Sequence, residues 1–489
     1  MHSKKNSGWY SAFKAKDARF DGRMFVGVSS TGIYCRPICS APLAKEENCT
    51  FYASAAAAEL AGFRPCFICR PELAPGSAPI DATSALAHKT ARLLEEHCGS
   101  EGNISDYARR LGCSDRHLRR AFKTEFSVTP IQYLQTCRML LAKKLLTDTD
   151  LAVTDVAIAA GVSSLRRFNE LFKQRYGLSP TAFRKRTCTT KEHNGNLTLL
   201  LCYRPPYQWR QILDFLARRA IPGVEAVTEN SYLRTVSYPR PGQKNLSGWI
   251  AVAHRPEKNA LTVTVNPELL PVLTHLLVRV RHLFDLYCCP DAVSETLSVL
   301  NDIRPGLFLP GTRLPGCFEP FEMVVRAILG QQITVKAAGT LAGRLAQTYG
   351  TVVETGRNML THAFPAAGDI AALSGEIADH LGPLGITRTR AKTISLLARR
   401  LVDGEIDCTA CAQPEAEIDR LMSIPGIGAW TAQYIAMRAL SWPDAFPATD
   451  LGIRKALAPL SVADIFRKAE SWRPWRGYAT ISLWNSFNA

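Results

Sequence analysis

Two groups of residues in this 489-residue chain have the types and spacing to do chemistry. The first is a set of four cysteines in two close pairs, Cys35 with Cys39 and Cys66 with Cys69. Four thiolates so arranged suit a closed tetrahedral structural site holding one Zn2+. A module this small has too little core to fold unaided, and metal binding can supply the missing stability. The second group lies between Leu421 and Asp450. There an apolar helix end runs into the tight turn Pro425-Gly426-Ile427-Gly428, and a second helix is expected from near Ala429. Gly426 and Gly428 can take φ > 0 and let a nucleic-acid backbone come close. The open N–H groups at the start of the second helix then face outward, where the helix dipole favours a phosphate. A lone carboxylate, Asp450, follows in the otherwise apolar run Phe446-Pro447-Ala448-Thr449. The plainer alternative is a helix-joining turn and a helix-capping aspartate.

Composition points the same way. A formal net charge of +16 implies an anionic partner, most simply nucleic acid. No apolar run reaches the length of a membrane span, and Met1 to Tyr10 lack the apolar stretch of a secretory signal. Fifteen cysteines without such a signal argue for reduced thiols and metal ligation in a cytoplasm.

The elements that must position these groups fall into four segments, 1–76, 82–187, 196–304 and 305–489. Between the first two, Pro75-Gly76-Ser77-Ala78-Pro79 reads as a linker, because two prolines and a glycine discourage helix and strand alike. Residues 82–187 are expected to be all helical and contain a near-repeat. The run from Asp106 through Gly112 to Ser114 is echoed 49 residues later by Asp155 through Gly161 to Ser163. Each copy has the helix-turn-helix form: a helix, a glycine turn, a serine N-cap (Ser114; Ser163 or Ser164) and a basic helix. Arg116, His117, Arg119, Arg120, Arg166 and Arg167 on the basic helices are candidates for major-groove and phosphate contacts. Lys185 to Gly195 is polar and reads as a second linker. Residues 196–304 mix strand-like runs (Leu197–Leu201, Leu261–Val265) with amphipathic helix (Trp209–Arg219, Leu270–Leu286), and 305–489 is helical. Cys49, Cys288 and Cys289 are expected in cores. Cys408 and Cys411 have no partner pair, so no iron–sulfur cluster is expected.

Three family resemblances sharpen these readings. Thr31-Gly-Ile-Tyr-Cys35-Arg-Pro-Ile-Cys39 and Gly62-Phe-Arg-Pro-Cys66-Phe-Ile-Cys69 resemble the N-terminal domain of the adaptive-response alkylation protein Ada. That resemblance implies that Cys35 is both zinc ligand and stoichiometric acceptor of a methyl group from a DNA methylphosphotriester, with Thr31 and Arg64 near the phosphate. A thiolate is the nucleophile such a transfer needs. The basic residue that family members often carry three positions after the second ligand is Pro42 here. The run from Tyr176 to Arg184 resembles the AraC-type regulator signature, which implies double-stranded promoter DNA and RNA polymerase as partners.

From about 196 onward the chain resembles 3-methyladenine DNA glycosylase II, of the helix-hairpin-helix superfamily. The resemblance is carried by Tyr203–Trp209, Leu283–Leu286, Arg304–Gly311, Arg326–Gln331 and Trp472–Ala479, together with the hairpin and Asp450. It implies a catalytic Asp450 and a base pocket lined by Trp430, Tyr434 and Trp484, with Gln331 and Gln332 at the substrate. Gln332 stands where the family often has an apolar wedge. The lysine that nicking relatives carry in the hairpin is Trp430 here, so hydrolysis without strand cleavage is implied. A monovalent cation at the hairpin turn is a further candidate. The Pro-Cys-His-Arg motif of O6-alkylguanine methyltransferases does not occur.

The expected architecture is therefore multidomain α+β: a small zinc module, an all-α double helix-turn-helix domain, an α+β glycosylase N-terminal domain and an all-α helix-hairpin-helix domain. The expected function is a bifunctional alkylation-response protein acting in the cytoplasm at the nucleoid. The rival is a transcription regulator whose glycosylase-like half only binds DNA.

Overall fold

A computed structural model describes residues 7–17, 20, 24–52, 58, 61–66, 68–69, 86–87, 90–91, 93–95, 98–99, 103–111, 113–126, 128–187, 197–240, 245–408 and 414–487. The linker at Pro75–Pro79, the glycine turn at Gly112 and Cys411 lie outside them.

The cysteine module follows a helix α1 (Ser7–Lys14) and is a four-stranded sheet in the order β3-β1-β2-β4. β1 (Phe25–Val28) pairs antiparallel with β2 (Ile33–Cys35) and β3 (Cys49–Tyr52), and β2 pairs parallel with β4 (Arg64–Pro65). Cys35 ends β2 and Cys66 follows β4, so the β2–β4 pairing brings one cysteine from each pair together.

Beyond residue 103 the described residues form α2 (Ile104–Arg110), α3 (Asp115–Phe126), α4 (Pro130–Asp148), α5 (Val153–Ala159), α6 (Leu165–Tyr176) and α7 (Pro180–Thr187). The two copies are joined by α4, which starts with a capping box between Thr129 and Gln132 and a proline in its first turn. Phe122 and Phe172, equivalent in the repeat, are both fully buried and fix each basic helix to its own bundle. Lys185 to Thr187, the first residues of the expected second linker, are helical, and the rest of that stretch lies outside the described residues. Ser179 caps α7 through Ala182 N, and Arg184, Lys185 and Arg186 sit in the last turn, where they complement the helix dipole.

The third segment is a five-stranded antiparallel sheet in the order β5-β9-β8-β7-β6. Its strands are β5 (Leu197–Cys202), β6 (Glu225–Val227), β7 (Ser231–Tyr238), β8 (Leu246–Arg255) and β9 (Ala260–Val265). Leu197, Leu199 and Leu201 alternate inward along β5, as a half-buried strand requires. Helix α8 (Trp209–Ala217) buries Trp209, Ile212, Leu213, Phe215 and Leu216. α9 (Leu273–Leu283) and α10 (Pro290–Leu297) follow, and α1 packs along α10 with Phe20 edge-on to Trp475 at 5.3 Å.

The last segment is helical apart from a short ribbon, Thr351–Val352 with His362–Ala363. Its helices include α11 (Pro320–Leu329), α12 (Val335–Tyr349), α13 (Arg388–Val402), α14 (Pro414–Met422), α15 (Ala429–Arg438), α16 (Leu451–Ala456), α17 (Val462–Ala469) and α18 (Arg476–Asn485). A buried ionic seam fastens it to the sheet. Arg234 on β7 bonds Glu322 on α11 at 2.7 Å, and Arg326 on α11 bonds Glu225 on β6 at 3.1 Å. Tyr232 donates to Glu225 at 2.5 Å, and Arg326 also donates to the carbonyl of Arg219, just past α8. Charges this deep are tolerable because each is paired and hydrogen-bonded. Among the described residues no helix is long and apolar enough to cross a membrane.

Candidate active site and metal centre

The four sulfurs of Cys35, Cys39, Cys66 and Cys69 lie within 4.8 Å of one another. Tetrahedral zinc with sulfurs at about 2.3 Å needs them about 3.8 Å apart, so the set fits one ion with small adjustment. Cys35, Cys39 and Cys66 are buried and Cys69 is half-buried. Hydrogen bonding from Cys35 and Cys69 pulls the Cys39 thiol down to about 2, and Cys35 is pushed far up by its bond to Cys39. A dication bound there would let all four sulfurs ionise. Arg36, buried beside the cluster, gives its backbone N–H to Cys69 Sγ at 3.3 Å. Thr31 and Arg64 are exposed on the same edge of the sheet, where Ile33 pairs with Arg64.

In the helical repeat, Ser114 Oγ accepts from His117 N and Ser164 Oγ from Arg167 N, which settles the second cap on Ser164. Arg116, Arg120, Arg166 and Arg167 are exposed. Arg119 is not presented in the same way: its guanidinium makes two bonds to Asp115 on its own helix, at 2.8 and 3.1 Å. Arg166 pairs with Glu170 at 3.2 Å, an exposed pair that DNA could easily displace.

In the hairpin, α14 ends at Met422 and α15 starts at Ala429, as the glycine pattern requires. The two glycines differ in role. Gly426 has φ +95°, and a Cβ there would lie 2.3 Å from Thr393 Oγ1. Gly428, expected to share the left-handed region, is extended at φ −89° because it is the N-cap of α15. Its open flank leaves room for a phosphate above the helix start.

Asp450 is the N-cap of α16: Oδ1 accepts from Gly452 N at 2.8 Å and Ile453 N at 3.2 Å. The capping reading is thus correct, yet incomplete. Trp484 Nε1 donates to the same Oδ1 at 2.8 Å, and Trp430 Nε1 donates to Oδ2 at 3.1 Å. Gly452 permits this, since a Cβ there would meet the Trp484 ring at 2.8 Å. The carboxylate opens on a cavity of about 380 Å³ lined by Trp430, Tyr434, Trp484, Arg219 and Arg326. Trp430 stacks on Tyr434 at 5.4 Å and 11°, and Tyr434 meets Trp484 at 6.0 Å. An aromatic box of this kind can stack on a flat, electron-poor ring and attract positive charge by cation–π contact.

Gln331 does not line that cavity. Its Nε2 donates to Gly426 O at 2.8 Å and Thr431 Oγ1 at 3.0 Å, because the turn before α12 lies against the hairpin. Gln332 is exposed, with φ +57°.

Sequence reasoning missed Phe215, Arg219 and Arg438. Phe215 is stacked on Trp484 at 6.3 Å and 17°, and Arg219 lies 3.8 Å over the Phe215 ring. Arg438 donates to the Tyr434 hydroxyl at 3.0 Å. A signal for Arg219 existed: it continues the i, i+3, i+4, i+7 register of Ile212, Phe215 and Leu216 toward the apolar face.

Four stretches match known families. They are the metal binding domain of Ada (8–72), a helix-turn-helix domain (107–186), the AlkA N-terminal domain (198–319) and the HhH-GPD superfamily of base excision DNA repair proteins (325–471). A probable bifunctional transcriptional activator/DNA repair enzyme AlkA of Mycobacterium tuberculosis is 35% identical over 486 residues, covering 98% of this chain and 95% of that one. The chain belongs to this family of fused activator–repair proteins. Parts of the fusion match separate proteins. DNA-3-methyladenine glycosylase 2 of Escherichia coli is 34% identical over 284 residues, 58% of this chain and 95% of its own. The bifunctional activator/repair enzyme AdaA of Bacillus subtilis is 32% identical over 191 residues, 38% of this chain and 86% of its own.

The aromatic cavity has an unusual phenol. Burial pushes Tyr434 up, but the guanidiniums of Arg438, Arg219 and Arg326 together hold it below the ordinary tyrosine value of 10.0. Tyr10, Tyr52, Tyr133, Tyr176, Tyr203, Tyr207 and Tyr232 are all raised by burial. An alkaline titration followed by tyrosinate absorbance should therefore show an early component below pH 10 that Tyr434→Phe removes. A Tyr434→Phe titration matching the wild type would mean the three guanidiniums do not act on this hydroxyl.

Proposed function

We propose that the protein excises alkylated purines of the 3-methyladenine type from double-stranded DNA by hydrolysing the N-glycosidic bond. We further propose that its N-terminal half senses methylated DNA phosphates and regulates transcription. The observation that carries the first part is Asp450, held by the N–H groups of two indoles that also wall the aromatic cavity. A cationic alkylpurine between such rings leaves as a neutral base, and the departing bond electrons leave positive charge on the sugar. Asp450 stabilises that charge and accepts the proton of the water that adds to C1′, so one C–N bond breaks and one C–O bond forms. Trp430 stands at the lysine position and cannot form a Schiff base, so the product is an intact abasic strand. Gln332 is the residue that fills the gap left by the flipped base. The carbonyls of Pro425 and Gly426 each accept one hydrogen bond and keep a second lone pair for a monovalent cation at the turn.

The experiment for this part is Asp450→Asn. Neutral asparagine keeps a carbonyl acceptor and loses the charge, which costs on the order of 2.7–4 kcal/mol, or about 10²–10³ in rate. Release of 3-methyladenine should fall by that factor while duplex binding is retained; near-normal release would sink the assignment.

In the second part Cys35 Sγ attacks the methyl carbon of a methylphosphotriester. The methyl C–O bond breaks, a C–S bond forms, and the phosphate regains its negative charge. Bound zinc would keep the sulfur ionised at neutral pH for that attack. The helix-turn-helix domain, through Arg116, Arg120 and Arg167, gives operator specificity, and RNA polymerase is the downstream partner in the cytoplasm. A four-thiolate zinc site carries a formal charge of about −2, which opposes DNA phosphate. Methylation turns one thiolate into a neutral thioether and leaves about −1. Operator affinity measured at fixed salt should rise after treatment with methylphosphotriester DNA. Equal affinities before and after would remove the sensor role and leave Cys35 a repair residue or plain ligand.

A further inference from the structure

One side chain joins the hairpin to a turn 95 residues earlier in the chain. Gln331 Nε2 donates to Gly426 O at 2.8 Å in the hairpin turn and to Thr431 Oγ1 at 3.0 Å in the first turn of α15. Its own backbone carbonyl accepts from Arg390 on α13. Three residues further along α13, on the same face, Thr393 Oγ1 donates to Pro425 O at 2.8 Å. Helix α13 therefore holds both the turn and the hairpin, and Gln331 ties them directly to each other. The next residue, Gln332, is exposed at φ +57°, a left-handed conformation that a non-glycine residue keeps only when its surroundings impose it. The bonds to the Gln331 side chain and carbonyl fix the residue on which that conformation is built.

We infer that Gln331 is a positioning residue that makes the hairpin and the Gln332 tip one rigid unit. The hairpin's hold on a strand phosphate then fixes the depth and register at which the tip enters the duplex. This rests on the glycosylase reading and on Gln332 as the gap-filling residue, and it says how those two are coupled. Binding to undamaged duplex draws on the N–H groups at the start of α15 and on the protein's positive charge, neither of which needs the tip. Base flipping needs both at a set distance.

The test uses the full-length protein. One duplex carries a single 2′-fluoro-7-methylguanine, whose glycosidic bond resists hydrolysis, beside 2-aminopurine as a fluorescent reporter of flipping. Ordinary methylated DNA reports single-turnover base release, and an undamaged duplex reports affinity at fixed salt. Gln331→Ala removes two hydrogen bonds and should lower flipping amplitude and release together by about 5- to 100-fold. Undamaged-duplex affinity should stay within about 2-fold, and the pH dependence of release should not move. Gln331→Glu, which cannot donate to the Gly426 carbonyl, should behave like Gln331→Ala. Thr431→Val combined with Gln331→Ala should cost less than the sum of the two single changes, because they share one contact. Wild-type flipping and release in Gln331→Ala would overturn the inference. So would an equal loss of undamaged-duplex affinity, which would make Gln331 a scaffold residue of the hairpin alone. A wild-type protein that releases no alkylated base would instead break the glycosylase reading on which the inference stands.

Discussion

The repair half depends on a carboxylate held between two indoles. Asp450 accepts from Trp430 through one oxygen and from Trp484 through the other, while two backbone N–H groups of α16 complete its shell. The same two rings wall the cavity into which the carboxylate opens. On the proposed function, recognition and chemistry are therefore not separate layers. A base that displaced either ring would also shift the carboxylate. Gly452 follows from the same constraint, since any side chain there would push the Trp484 ring away.

The cavity is built across two domains. Arg219, just past α8, lines it from one side with Phe215 of α8 stacked on Trp484, whereas Tyr434, Trp430 and Trp484 come from α15 and α18. The seam of Glu225, Arg234, Glu322 and Arg326 holds the two sides in register. Arg326 does both jobs, lining the cavity and bonding Glu225 and the Arg219 carbonyl. It shares the buried carboxylates of Glu225 and Glu322 with Arg234, and while burial pushes the Tyr434 phenol up, the guanidiniums of Arg438, Arg219 and Arg326 hold it below its ordinary value.

Local features were legible in the sequence. The two cysteine pairs, the serine caps of the repeat and the hairpin all depend on residues a few positions apart, where backbone conformation follows from residue type. Trp430 and Asp450 are also close in sequence, only 20 residues apart. The α8 wall was not legible, because Phe215 meets Trp484 from a different domain and nothing local marks that contact. The differences between expectation and structure have the same origin. Gly428 looked like a second left-handed glycine until its role as N-cap of α15 was visible. Gln331 looked like a substrate contact, but its partners lie 95 and 100 residues away. Arg119, a candidate for DNA contact, is bonded to Asp115 one helical turn earlier.

The shared use of the indoles for stacking and for holding Asp450 is the claim on which the rest stands. Trp484→Phe separates the two functions, because phenylalanine keeps a stacking face and loses the N–H that bonds Oδ1. The measurement is the single-turnover rate of base release from methylated DNA, taken alongside the affinity for the same DNA. The account predicts affinity close to wild type and a rate reduced at least about 10-fold, the loss of one charge-assisted hydrogen bond of about 1.5–3 kcal/mol. An unchanged rate would contradict it and would mean that the Trp484 indole serves only as a wall.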